Sequence, residues 1–528
     1  MPADTLTSAA PLLSLMQDAV LLHQAGRLTE ARAIYEAVLR QQPRHFDAMH
    51  FLGVIAHQGG DHRAAVQLID RAIGVFAGNA SAYVNRALAL AALGDTLGAL
   101  ANCTKAAALD PGIAAVGTQA VPPLFACTKA LHDAGNLNAA LAGYDAVLAL
   151  KSDVAEAHFN RGNALKDLGR TEEAIAAFRR ALALQPNNLE AKRNLFWLHF
   201  IQMKDPPLIE RLSAEIASAL AENDIVTLQT HKAITDFRVL HDLEQSAYLL
   251  EQGIESPELR AAHTCLQAIY ARCKPNHSET TKLVSVSDAE IQVLARWRRA
   301  PVRTTPASVK YCLNPDNAWG QIEEQYFAAT PEMVVIDNLL SGEALAALRK
   351  FCLIPTVWRN EYPNQYLGAL AEAGFISKLH LQIAAELRQR LPRIFGPHLL
   401  EQIWAFKYTS KLGRGINVHA DYARVNLNFW VTGDTSNHDP DAGGLVVYDT
   451  PAPLSWGFDE YNNNDSSSIY AFLKGSGAGQ RRVPYRCNRA VLFNSRLFHE
   501  TDVIDFADGY KNRRVNITYL FGRGLGRT

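Results

Sequence analysis

Two histidines and an aspartate near the C-terminal end have the types and spacing to hold a metal. His419 and Asp421 lie in Asn417-Val418-His419-Ala420-Asp421-Tyr422, and His499 lies in Leu497-Phe498-His499-Glu500-Thr501. In each stretch β-branched or aromatic residues alternate with polar ones and turn residues bound them, so each reads as a strand or strand end. Side chains two apart on a strand share a face, which brings His419 and Asp421 together at about 7 Å between Cα atoms. His499 supplies a third ligand from a distant strand. Two imidazoles and one carboxylate on one side of a cation leave its other side open, an arrangement suited to Fe(II) and oxygen chemistry. Spacing alone does not decide this. His45-Phe46-Asp47 has the same H-x-D pattern but falls at a junction between helical segments, without strand context.

The order of segments adds what the triplet lacks. Asp441-Ala442-Gly443-Gly444-Leu445-Val446-Val447-Tyr448 separates the two ligand stretches, and Arg513-Arg514-Val515-Asn516-Ile517-Thr518-Tyr519 follows them. H-x-D, a Gly-Gly-Leu strand, an aromatic strand ending in histidine and a strand opened by arginine together resemble the 2-oxoglutarate- and Fe(II)-dependent dioxygenases of the prolyl-hydroxylase-like branch. The resemblance covers roughly residues 326–528. It implies a double-stranded β-helix, or jelly-roll, with bracing helices. It implies His419, Asp421 and His499 as catalytic Fe(II) ligands, 2-oxoglutarate as co-substrate, O2 as oxidant and ascorbate as an accessory reductant. The expected outcome is oxidative decarboxylation of 2-oxoglutarate coupled to hydroxylation of a C–H bond.

The same resemblance places the co-substrate. Arg514, 15 residues after His499, corresponds to the basic residue that pairs with the distal carboxylate, for which a guanidinium offers two parallel donors. Arg513 points to the opposite face by strand alternation, and a register error of one residue would exchange the two. Tyr408, eleven residues before His419 on a strand expected at 402–410, is the counterpart of a tyrosine that bonds the co-substrate carboxylate; its alternative is a core tyrosine. Asn426 and Asn428 share a strand face. That face is either the interior, where Asn428 would line the co-substrate pocket, or the surface.

Other elements must hold this arrangement. Residues 333–340 read as a strand and turn before a helix that starts near Ser341, and helices are expected at 342–351 and 368–395. The segment 434–442 is a polar, turn-rich loop. The segment 456–479 is long, and reads as a lid or substrate platform.

An internal repeat fills the first two hundred residues. Gly26, Gly60, Gly94, Gly135 and Gly169 recur at spacings of 34, 34, 41 and 34. Five residues after each comes a small side chain (Ala31, Ala65, Ala99, Ala140, Ala174), and nine after each a bulkier one (Tyr35, Ile69, Cys103, Tyr144, Phe178). This is the period of the tetratricopeptide repeat, with repeats at 12–45, 46–79, 80–113, 121–154 and 155–188, an insertion at 114–120 and a capping helix at 189–203. Asn85, Asn160 and Asn194 occupy the sixth position of their repeats. They resemble the groove asparagines with which O-linked N-acetylglucosamine transferases grip a peptide backbone, although Phe51 and Ala126 interrupt the series. Helix-capping or solvated asparagine is the plain alternative. Three apolar-periodic helices, about 208–221, 228–253 and 258–273, joined by turns at 274–276 and 299–306, form a helical linker region, and its histidines 231, 241, 263 and 277, without ligand spacing, read as structural or surface residues.

These readings give three regions: a solenoid at 1–203, a helical linker at 204–325 and the dioxygenase-like domain at 326–528. A net charge of −1 excludes a general nucleic-acid or membrane-surface binder. Seven scattered cysteines without a C-x-x-C pair point to reduced thiols and a cytoplasmic location. No membrane span is expected, and the first twenty residues lack the basic n-region of a signal peptide. Three functions compete: a hydroxylase acting on a protein or peptide recruited by the solenoid, a repeat scaffold carrying an inactive barrel, and an oxygenase of a small molecule.

Overall fold

The computed structural model describes residues 9–110, 121–273, 281–306, 309–362, 364–412, 415–462 and 466–523. The insertion at 114–120, the turn at 274–276 and His277 lie outside the described residues. The chain divides into two compact units, Met1–Leu195 and Phe196–Thr528.

The first unit is a run of helix pairs. Ala9–Gln24 pairs with Leu28–Gln41, Phe46–Gln58 with His62–Val75, Ala80–Ala92 with Thr96–Leu109, Val121–Asp133 with Leu137–Leu150, and Ala155–Asp167 with Thr171–Leu184. The five periodic glycines close the turn within each pair at φ of +73 to +85°, where a Cβ would be strained. The periodic alanines and the bulkier residues four positions later are at most 1% exposed. Close approach is visible at Gly162, where an added Cβ would lie 2.7 Å from the Phe178 ring.

The second unit is built on antiparallel strands: β1 (Ala233–Thr235), β2 (Leu283–Ser285), β3 (Met333–Ile336), β4 (Asn360–Tyr362), β5 (Tyr366–Leu370), β6 (Leu400–Tyr408), β7 (Lys411–Leu412), β8 (Ala423–Trp430), β9 (Leu445–Pro451), β10 (Gln480–Val483), β11 (Ala490–Asn494), β12 (Leu497–Thr501), β13 (Ile504–Asp505) and β14 (Val515–Arg523). A seven-stranded sheet has the order β3-β11-β8-β14-β6-β5-β4, and a three-stranded sheet the order β10-β9-β12. Met333, Tyr408, Trp430, Val491 and Phe493 from the larger sheet form one core with Leu445, Val447, Val483 and Leu497 from the smaller. The region is therefore sheet-rich, with two sheets sharing a buried apolar interior.

Residues 204–325 lie within this second unit. Leu228, Val239, Leu249, Leu266, Ile291 and Trp297 share a core with Ile354 and Tyr510. The expected helix at 228–253 is interrupted. Lys232 takes a left-handed φ of +48°, β1 follows, and Thr235 caps a new helix, Asp236–Glu251, by accepting from the Arg238 N–H. The expected helix at 368–395 is also corrected. Its first residues form β5, paired to β6 from Tyr366↔Tyr408 to Leu370↔Trp404, and the helix begins at Lys378. Ladder pairing outweighs helical periodicity there. Within the segment 456–479 the described residues form helices Phe458–Tyr461 and Ser467–Ser476, and the second buries Ile469 and Leu473 against Val418, Ala420 and Phe498. No helix among the described residues is long and apolar enough to cross a membrane.

Candidate metal centre

His499 lies on β12, whose outer side carries residues 416–419. The His419 N–H donates to the His499 carbonyl at 3.0 Å and the His499 N–H to the His419 carbonyl at 2.8 Å. This isolated antiparallel bridge holds the imidazole centroids 4.3 Å apart. Asp421 is beyond the bridge, in the turn before β8, rather than on a continuous strand as the sequence suggested; its N–H donates to the Ser495 carbonyl at 3.0 Å. The three side chains each offer a ligand atom, all within 4.8 Å of one another. His499 Nε2 is 3.5 Å from Asp421 Oδ2.

Their protonation suits a cation. His419 Nδ1 is 2.7 Å from the Asn417 carbonyl, and His499 Nδ1 is 3.0 Å from the Leu497 carbonyl. A carbonyl only accepts, so each Nδ1 carries a proton and Nε2 is the ring nitrogen left to face a cation. Burial, and then the neighbouring His419, holds His499 well below its ordinary pKa and therefore neutral. Burial raises the Asp421 pKa, against the lowering influence of His419 and the Asn426 hydrogen bond. A dication removes the penalty of an unpaired buried carboxylate. The donor set of two imidazoles and one carboxylate thus fits a divalent transition metal.

The ligands open on a cavity of about 550 Å³. Arg514 lines it and is 1% exposed. Its Nε donates to the Gly443 carbonyl at 2.7 Å and its Nη2 to the Gly444 carbonyl at 3.0 Å, while Nη1 is buried without a hydrogen-bond partner among the described residues. The backbone here requires the Gly-Gly pair. Gly443 has φ of +80°, and a Cβ on Gly444 would lie 1.9 Å from the Val483 carbonyl oxygen. Tyr408 lies beneath the guanidinium, 4.8 Å from it to the ring centroid, and its hydroxyl is 3.4 Å from Thr501 Oγ1. Arg513 turns the other way, to Glu244 at 2.7 Å.

Asn426 and Asn428 both point inward, at 0% and 4% exposure. Asn428 lines the cavity. The sequence reading missed several wall residues: Gln402, Trp404, Phe406, Asn516, Thr518 and Thr501. A signal for most was present, since 402, 404 and 406 share the face of Tyr408, and 516 and 518 that of Arg514. Phe458, from the expected lid segment, also lines this cavity, and with Asp421 and Tyr422 it lines a neighbouring one of about 560 Å³.

In the first unit Asn85, Asn160 and Asn194 are half-buried. Asn85 Nδ2 is 2.9 Å from His50 Nε2. Asn194 Nδ2 donates to Asn163 Oδ1 at 3.0 Å, and its Oδ1 accepts from Lys166 at 3.3 Å. These two amides link successive repeats. His45 of the other H-x-D pattern is a helix cap, its Nδ1 accepting from the Ala48 N–H at 3.3 Å.

Comparison with known proteins bears on the helical unit. A tetratricopeptide repeat model matches residues 155–188, a second matches 19–74 and 58–112, and a TPR repeat model matches 129–169. The N-terminal region therefore carries tetratricopeptide repeats. No curated protein matches the chain. Similar solved structures include MamA, at 19% identity over 33% of this chain and 96% of that one, with a TM-score of 0.26. YrrB, described as a TPR protein with an unusual peptide-binding site, is 20% identical over 34% of this chain and 89% of that one, at 0.27. The Cut9–Hcn1 hetero-tetramer is 17% identical over 39% of each chain, at 0.23.

Proposed function

We propose that the chain is an Fe(II)- and 2-oxoglutarate-dependent dioxygenase that hydroxylates a protein or peptide substrate recruited by its tetratricopeptide repeats. The observation that carries the reading is the convergence of His419, Asp421 and His499 on a cavity that also holds a buried arginine with an unpartnered N–H. The two facing antiparallel sheets accord with a double-stranded β-helix. Fe(II) with 2-oxoglutarate and O2 supplies the oxidant for an unactivated C–H bond, with release of succinate and CO2.

The residues of this chain have separate tasks. His419, Asp421 and His499 hold the metal from one side. Arg514 receives the distal carboxylate of 2-oxoglutarate through Nη1, its other donors being fixed on the Gly443 and Gly444 carbonyls. Tyr408 sets the plane of the guanidinium and offers a hydroxyl beside Thr501. Tyr362, Tyr366, Trp404 and Phe406 form an aromatic wall that limits water around the reacting centre. The repeats supply substrate affinity rather than chemistry, and Asn160 and Asn194 are the residues to test for it.

The decisive experiment is succinate release by the purified full chain with Fe(II), 2-oxoglutarate and ascorbate in air. Release that is abolished by omitting iron supports the reading. No release, and no binding of 2-oxoglutarate to the metal-loaded protein, overturns it in favour of a repeat scaffold with an inactive barrel. Release stimulated by small molecules but not by peptides would reassign the substrate class.

A further inference from the structure

A chain of buried amides runs from the metal centre into the cavity. Asn426 Nδ2 donates to Asp421 Oδ2 at 2.6 Å, and Asn428 Nδ2 is 3.4 Å from Asn426 Oδ1. The chain has a direction. An ionised carboxylate only accepts, so Asn426 must turn its NH2 toward Asp421. Its carbonyl oxygen then faces Asn428, which must donate in turn. That leaves Asn428 Oδ1, which is buried and has no partner among the described residues, on a residue that lines the cavity. Both asparagines lie on β8, between β11 and β14. Asn426 pairs with Phe493 and Leu520, and Asn428 with Val491 and Thr518. Ladders on both sides fix their backbone.

We propose that Asn426 is the positioning residue for Asp421, and that Asn428 offers the cavity an acceptor for an N–H or O–H of the primary substrate rather than a seat for a co-substrate carboxylate. The proposal rests on the metal-centre reading above. A single strong hydrogen bond to one carboxylate oxygen stops the Asp421 side chain from rotating and leaves lone pairs for the cation. At the far end, an amide oxygen repels the carboxylates of 2-oxoglutarate, which have only acceptors, whereas Arg514 Nη1 offers them a donor. The two cavity-lining groups are thus chemically distinct: Arg514 accepts an anion, and Asn428 accepts a donor such as a peptide N–H.

The test uses the full chain with Co(II) alone and then with 2-oxoglutarate, so no turnover is needed. Loss of an outer partner of a metal ligand weakens metal binding by about 10- to 100-fold. Asn426→Ala is expected to lose Co(II) affinity on that scale and to shift the visible Co(II) absorption. His45→Ala, which removes a helix cap in the first unit, is expected to leave both unchanged. Asn428→Ala is expected to leave the 2-oxoglutarate affinity of the Co(II)-loaded protein within about twofold of the parent, while Arg514→Ala weakens it by about tenfold or more. Parental Co(II) affinity and spectrum in Asn426→Ala overturn the positioning role. A tenfold loss of 2-oxoglutarate affinity in Asn428→Ala overturns the acceptor role. If Asn426→Ala does not fold, the Asn428→Ala titration still decides the direction of the chain. Failure of the parent itself to bind Co(II) overturns the metal-centre reading, and is distinguishable from both.

Discussion

Arg513 and Arg514 are chain neighbours whose guanidinium groups serve opposite sides of one strand. Arg514 faces Tyr408 and the Gly443 and Gly444 carbonyls, and Arg513 faces Glu244 on the helix Asp236–Glu251. Their substitution should therefore separate two properties. Arg514→Ala is expected to raise the 2-oxoglutarate requirement about ten- to a hundredfold, since a bond to a charged group contributes about 1.5–3 kcal/mol. Arg514→Lys should fall between, keeping charge without the fork. Arg513→Ala should leave the requirement unchanged but destabilise the protein by about 2 kcal/mol, because a largely buried ion pair loses one partner. Succinate titrations and urea midpoints on the same preparations check both.

His419→Ala and Asp421→Ala are each expected to abolish succinate release and metal binding, with little change in the melting temperature of metal-free protein. His45→Ala is the control. Its loss of a helix cap should cost about 1 kcal/mol of stability and leave metal affinity at the parental value. Equilibrium dialysis and thermal melts distinguish the two patterns.

Gly162→Ala should destabilise the repeats by about 1–3 kcal/mol, because the new methyl meets the buried Phe178 ring. The expected signature is an earlier loss of helical circular dichroism at unchanged metal affinity.

Stability should fall on mild acidification through buried neutral histidines. Burial pushes His380 down to about 3, His241 to about 3 and His50 to about 4, from the ordinary 6.5 of the unfolded chain. Each contribution is complete above pH 6.5 and is lost as the pH drops toward the folded value, because only the unfolded state then takes up the proton. His380 is enclosed by Phe351 and Phe375 and bonds Ser377 Oγ at 2.8 Å. The urea midpoint should therefore drop less between pH 7 and pH 5 in His380→Leu than in the parent. An equal drop would refute its role.

Legibility followed periodicity. The solenoid could be read because one conformational demand, a left-handed glycine, repeats beside one packing demand, alanine against a bulky neighbour; both appear at every pair of helices. That His419, Asp421 and His499 come together could be read from residue type and order, and that Arg513 and Arg514 face opposite ways from strand alternation. Residues 366–370 could not, because Tyr366-Leu367-Gly368-Ala369-Leu370 has no polar alternation, and only pairing with β6 makes it a strand. Asp421 escaped its expected strand for a similar reason, since the Ser495 carbonyl takes its N–H before β8 begins. The amide chain was half legible: the sequence put Asn426 and Asn428 on one face, but only the fold chose which face is inside.

The bridge between His419 and His499 joins residues 80 positions apart. The centre thus comes into being only when a long stretch of chain has closed, a step that slows folding because loop entropy is lost before contacts are gained. A cation held there would act on that closure by mass action, adding about 2.7 kcal/mol at a free concentration one hundred times its dissociation constant. Lifetime against proteolysis would then track the supply of the metal. A chain short of it would lose that added stability, and its abundance would follow the supply of metal.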